Sequence, residues 1–173
     1  MFVSGITFAI VFGFSVTAQD GEQEISLEDK VDHKIIFPQN LLDQKGQKVS
    51  ADVLEGKFIG LYFSASWCGP CRAFTPSLIK FRDNHKDMFE VILVGADGSP
   101  KAQANYMRKY KMPWLAMKNQ SPEAIKISKS LRVPHIPYLV ILDSDGKIVS
   151  KNGEKEITRL GNNAFETWKK LTK

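Results

Sequence analysis

Phe58-Ile59-Gly60-Leu61-Tyr62-Phe63, followed by Trp67-Cys68-Gly69-Pro70-Cys71, is the stretch whose reading decides the fold. Its first half is almost continuously apolar, which predicts a strand buried on both faces. Beyond the cysteines, Phe74, Leu78 and Phe81 recur at helical spacing and predict a helix over about 71–85. Pro76 lies inside it and is expected to kink it. The only two cysteines of the 173-residue chain therefore sit where a strand gives way to a helix. Unpaired N–H groups at a helix start favour negative charge. A thiolate there is stabilised, and the thiolate is the species that attacks disulfides.

Position assigns the roles. Cys68 precedes the helix and is expected to be the exposed nucleophile; Cys71, in the first turn, is expected to be buried and to resolve the mixed disulfide. Gly69 allows close backbone approach, and Pro70 suits the first helical position. Trp67 offers a flat apolar surface to a partner. The alternative is an inert structural bridge. So short a loop gives such a bridge little entropic value, which favours redox chemistry.

Composition excludes other classes. With 43% hydrophobic and 25% charged residues the chain reads as one globular domain plus a tail. The net charge of +5 is carried by scattered lysines, with pairs such as Lys169-Lys170 and no stripe for nucleic acid. Two cysteines and the distant His33, His85 and His135 do not make a Cys-rich zinc site, so no metal is expected. No phosphate-cradling glycine loop and no acyl-transfer pattern is present, and no cofactor is expected. Asp143-Ser144-Asp145-Gly146 has glycine at the wrong position for an EF-hand and reads as a turn. Asn119-Gln120-Ser121 is a glycosylation sequon.

The first 18 residues carry no charge and end in the small-residue pattern Val16-Thr17-Ala18. They read as a secretory signal peptide that lacks a basic leader. An uncleaved anchor is the alternative, weakened by Ser4, Gly5, Thr7, Gly13, Ser15 and Thr17. The expected division is a signal peptide at 1–18, a flexible lead-in at 19–33 and one domain at 34–173. The mature protein is expected to be exported, periplasmic or secreted, without a membrane span, and monomeric.

Lys34–Phe37 reads as a short strand, Asp43–Gly46 as a turn and Ser50–Leu54 as a helical turn. Glu90–Gly95 is a second buried strand. Ala102, Tyr106 and Tyr110 mark a helix ending before Pro113; Ala124, Ile127 and Leu131 mark another. Tyr138–Leu142 is a strand, and Lys147–Val149 pairs back on it as a hairpin. Ile157, Leu160, Ala164, Trp168 and Leu171 form one closing amphipathic helix. The order β-α-β-α-α-β-β-α implies an α/β domain, parallel in its first part.

Trp67–Cys71, with Pro76 five residues on, resembles the thioredoxin active site. Tyr62-Phe63-Ser64-Ala65-Ser66-Trp67-Cys68, Arg72-Ala73-Phe74-Thr75-Pro76 and Met112-Pro113-Trp114-Leu115-Ala116 resemble the tryparedoxin and nucleoredoxin branch. The resemblance covers about residues 35–172. It implies a thioredoxin fold, with a central mixed β-sheet flanked by helices, and thiol–disulfide oxidoreductase activity. It also implies a cis peptide at Ile136-Pro137, where the Ile136 backbone would align a substrate strand beside Cys68. The partners it implies are protein thiols and disulfides and an upstream electron-donor protein. Thioredoxin has a buried acid six residues before its first cysteine; here Tyr62 holds that place and leaves the second thiol's proton without an assigned acceptor. Arg72 and His135 are candidates for tuning the thiolate, or are simply exposed. The expected function is a reductase of exported disulfides. An oxidase or isomerase, and a non-catalytic binding module, are the rivals.

Overall fold

The computed structural model describes residues 34–172. The expected signal peptide and lead-in lie outside the described residues. In chain order the first half holds β1 (Asn40–Leu42), β2 (Lys48–Ser50), a short 3-10 turn (Ala51–Leu54), β3 (Phe58–Ser64), α1 (Gly69–Asn84) and β4 (Phe89–Gly95). The second half holds α2 (Pro100–Lys109), β5 (Leu115–Ala116), α3 (Pro122–Ser130), β6 (Tyr138–Leu142), β7 (Ile148–Ser150), α4 (Gly153–Leu160) and α5 (Asn163–Leu171). Seven strands form one mixed sheet in the order β2-β1-β5-β4-β3-β6-β7.

The apolar run 58–63 lies in β3, an interior strand between β4 and β6, covered on both faces. β4 pairs with it in parallel, Tyr62 opposite Leu93, and β6 runs antiparallel on its other side, Phe63 opposite Tyr138. Side chains alternate along a strand. Tyr62 therefore joins Phe74, Leu78, Phe81, Phe89, Trp114, Phe165 and Trp168 in one core, while Ile59, Leu61 and Phe63 join Ile92, Val94, Ile127 and Val140 in the other. Gly60 is required by close packing, since a Cβ there would lie 2.8 Å from the Phe89 ring. This is a thioredoxin fold, a mixed sheet flanked, among the described residues, by five helices.

Several expectations need correction. Lys34–Phe37 is not a strand: Ile36 is 81% exposed, and Pro38 biases the chain away from regular pairing. Ile35 donates its N–H to the Gly146 carbonyl at 3.0 Å, and Ile35 and Phe37 pack on the edge of the core without joining a strand. The pairing falls instead to β1 and β2, which flank the expected turn; Asp43 Oδ1 accepts the N–H groups of Lys45 and Gln47 there. β5 is two residues long and was not foreseen. The helix after the cysteines starts at Gly69, earlier than expected, and remains one helix through Pro76. The closing helix is two helices. Gly161, at φ +55° and ψ −135°, ends α4, and its N–H closes on the Ile157 carbonyl at 2.9 Å.

Candidate active site

α1 begins at the cysteines because its first turn is capped from within. Cys68 is the N-cap: its sulfur accepts the Cys71 N–H at 3.1 Å, and its carbonyl accepts the Arg72 N–H at 3.1 Å. The two sulfurs are joined in a disulfide, with the Cα atoms 5.2 Å apart. Cys68 is more covered than expected, at 5% exposure, because its sulfur packs against Ala65 and Ile136; Cys71 is fully buried. The order of accessibility is the expected one, although neither sulfur is open in the oxidised form.

Trp67, Gly69 and Pro70 are exposed around the disulfide. Trp67 presents 65% of its surface, anchored by its indole N–H to the Ala96 carbonyl at 3.2 Å. Nothing in the chain crowds a Cβ at Gly69, so that position is open to a partner's approach. The Ile136-Pro137 bond is cis, and Ile136 lies against the cysteine pair. All seven expected site residues therefore lie around one disulfide. Beside them an apolar cavity of about 400 Å³ runs between Phe63, Val94, Ala96, Ile125, Val133 and Ile136.

Other signals fall away. His135 and Arg72 are exposed, and His135 lies edge-on to Tyr138. Trp114 is a core residue against Tyr62. The sequon asparagine is largely buried; Asn119 donates its amide to the carbonyls of Gly95 and Asp97 at 3.3 and 3.1 Å, so the folded chain does not offer it for glycosylation. Asp143–Gly146 is a turn, with Asp143 Oδ1 accepting the N–H groups of Asp145 and Lys147. Among the described residues no His, Cys, Asp and Glu side chains group as metal ligands.

One feature was not read from sequence, and a second was read only as a departure from the thioredoxin pattern. Asp97, fully buried, accepts the Ser66 N–H and hydroxyl on Oδ1 at 3.0 and 2.5 Å, fixing the loop into Trp67 and Cys68. Its position just past a buried strand, before Gly98, was the available signal. The second is Tyr62. Its hydroxyl donates to the Cys71 carbonyl at 3.0 Å and lies 3.1 Å from Thr75 Oγ1. Burial, with Tyr106 close by, pushes the phenol far above its usual range.

A thioredoxin fold carrying a disulfide at the start of its first long helix, faced by a cis-proline, defines the class: a thioredoxin-like thiol–disulfide oxidoreductase. The chain belongs to the thioredoxin-like family, whose model matches residues 56–148. It is 37% identical over 133 residues to a tryparedoxin of Trypanosoma brucei brucei, covering 75% of this chain and 90% of that protein. It is 40% identical over 128 residues to "Probable nucleoredoxin 1" of Arabidopsis thaliana, covering 72% of this chain. The match spans only 22% of that nucleoredoxin, and 29% of the nucleoredoxin of Xenopus laevis. The solved structure of tryparedoxin from Trypanosoma brucei superposes with a TM-score of 0.68 at 36% identity, over 76% of this chain and 94% of that one.

Proposed function

We propose that this chain reduces disulfides of exported proteins through a Cys68/Cys71 cycle. Cys68 attacks a partner disulfide, and the partner's leaving sulfur takes the electron pair and a proton. Cys71 then attacks Cys68, the second partner sulfur leaves as a thiol, and the intramolecular disulfide remains for an upstream electron-donor protein to reduce. Trp67, Gly69, Pro70, Ile136 and Pro137 form the partner-facing rim. The observation that carries the reading is the N-cap itself. Cys68 Sγ accepts the Cys71 N–H, so reduction would leave a thiolate facing the helix N-terminus.

Export is part of the proposal and rests on the sequence of residues 1–18; residues 34–173 are the working domain. N-terminal sequencing of the protein recovered from its native compartment tests it. A start at or near Gln19 supports export with cleavage, a retained Met1 contradicts cleavage, and recovery of the protein from the cytosolic fraction alone contradicts export. Direction is tested by equilibrating the protein with glutathione. A potential near −270 mV, the scale of thioredoxin, supports a reductase, and one near about −120 mV makes it an oxidant.

A further inference from the structure

Four buried hydroxyls lie between Cys71 and the sheet. Tyr62 Oη and Thr75 Oγ1 both donate to the Cys71 carbonyl, at 3.0 and 2.9 Å. Thr75 Oγ1 lies 3.0 Å from Tyr106 Oη, which lies 3.0 Å from Ser64 Oγ. Each hydroxyl has one proton. With the Thr75 proton directed at the carbonyl, Tyr106 must donate to Thr75, and Ser64 in turn to Tyr106. The protons therefore run one way, from Ser64 through Tyr106 and Thr75 to the Cys71 carbonyl, and Tyr62 arrives on the same oxygen. Tyr62, Ser64 and Thr75 are fully buried and Tyr106 is 2% exposed, so water does not compete. Pro76 supplies no N–H to this turn, and its ring crowds the Arg72 carbonyl. The hydroxyls hold the neighbouring carbonyl, that of Cys71, in place.

The chain contains no ionised group. The Tyr62 phenol stays neutral, and among the described residues no carboxylate bonds to any of the four hydroxyls. We propose that Tyr62 and Thr75, backed by Tyr106 and Ser64, position Cys71 for the resolving step and take no proton from it. This rests on the exchange reaction proposed above. In the resolving step Cys71 Sγ bonds to Cys68 Sγ, the bond from Cys68 to the partner breaks, and the electron pair leaves on the partner sulfur. The proton that Cys71 carried ends on that sulfur, so the step balances without a buried acid. Cys68 has anchors that do not involve Cys71: its N–H donates to the Ala65 carbonyl at 3.2 Å, its carbonyl accepts the Arg72 N–H at 3.1 Å, and it packs with Ala65 and Ile136, so loosening the hydroxyl chain slows the second step and spares the first.

The test mixes reduced full-length wild type, Tyr62→Phe and Thr75→Val with glutathione disulfide, quenches with acid at short times and follows the glutathione adduct by mass. Each variant removes one buried hydrogen bond, so the adduct is expected to form at the wild-type rate and to resolve about three- to tenfold more slowly. Resolution at the wild-type rate, or equal slowing of both steps, overturns the proposal. If neither variant folds, Tyr106→Phe, which does not touch Cys71, is expected to slow resolution alone by about twofold; no slowing overturns it. A wild type that never forms the adduct overturns the exchange reading and this proposal together. An adduct that resolves alike in all forms overturns the positioning role alone.

Discussion

Replacing Asp97 by alanine removes the acceptor of two Ser66 donors inside a buried loop. The loss is expected to cost about 1–3 kcal/mol of stability by chemical denaturation. Asp97→Asn keeps a side-chain oxygen for Ser66 and is expected to lose less. Because Ser66 leads directly into Trp67 and Cys68, the alanine variant is also expected to weaken reduction of a protein disulfide more than of a small one, measured as the two KM values. Asp97 was not singled out in sequence because its place past a buried strand marks a turn but not its burial, and its partner is 31 residues away. The cysteines were legible because their chemistry depends on a strand-to-helix junction that hydrophobic spacing reveals. Tyr62 was legible only as a departure. That it meets the carbonyl of Cys71 follows from the three-dimensional path of α1 over β3.

The closing helices show what periodicity conceals. Ile157, Leu160, Ala164 and Trp168 keep helical spacing across Gly161, so the pattern reads as one helix where the backbone turns. Gly161→Ala places a Cβ on a backbone at φ +55°, and is expected to destabilise by about 1 kcal/mol or more, with nothing nearby to clash. α5 is held by Phe165 and Trp168, both fully buried, with Phe165 packed against Phe58, Phe89 and His85. Phe165→Ala is expected to cost about 3–5 kcal/mol, read as the unfolding midpoint in denaturant. His85 stacks on Phe165 with ring centroids 4.7 Å apart, and its Nε2 is buried without a partner. Burial lowers its proton affinity; Lys169 adds to this, and Glu166 opposes it. The unfolded chain therefore binds the proton first, near pH 6.5, and stability is lost as pH falls from about 7 through the folded value. A pH series of unfolding midpoints checks this, and His85→Leu is expected to flatten its acid side. The short strands β1, β2 and β5 escaped the sequence for a different reason: two or three residues carry no alternation, and only the neighbouring strand defines them.

Across the whole molecule, the long central strands and the helices that cover them place the cysteine pair, the Trp67 surface and the Ile136-Pro137 loop around one point. The strands, the helices and the cysteine pair could be read from sequence, because buried strands and helical spacing are properties of the chain itself; the Ile136-Pro137 loop was expected only from the family resemblance. The apolar cavity beside Ile136 could not, since it is assembled from segments distant in sequence. The central claim is that this point is a two-step exchange site in which Cys68 attacks and Cys71 resolves. It is tested most directly by expressing full-length Cys71→Ser in its native compartment, quenching with acid and alkylating agent, and separating the products without reductant. The account predicts mixed disulfides carried through Cys68, absent from wild type and from the Cys68→Ser, Cys71→Ser double variant. No covalent partner on Cys71→Ser, together with full function of the double variant, would contradict it and leave the fold as a docking surface.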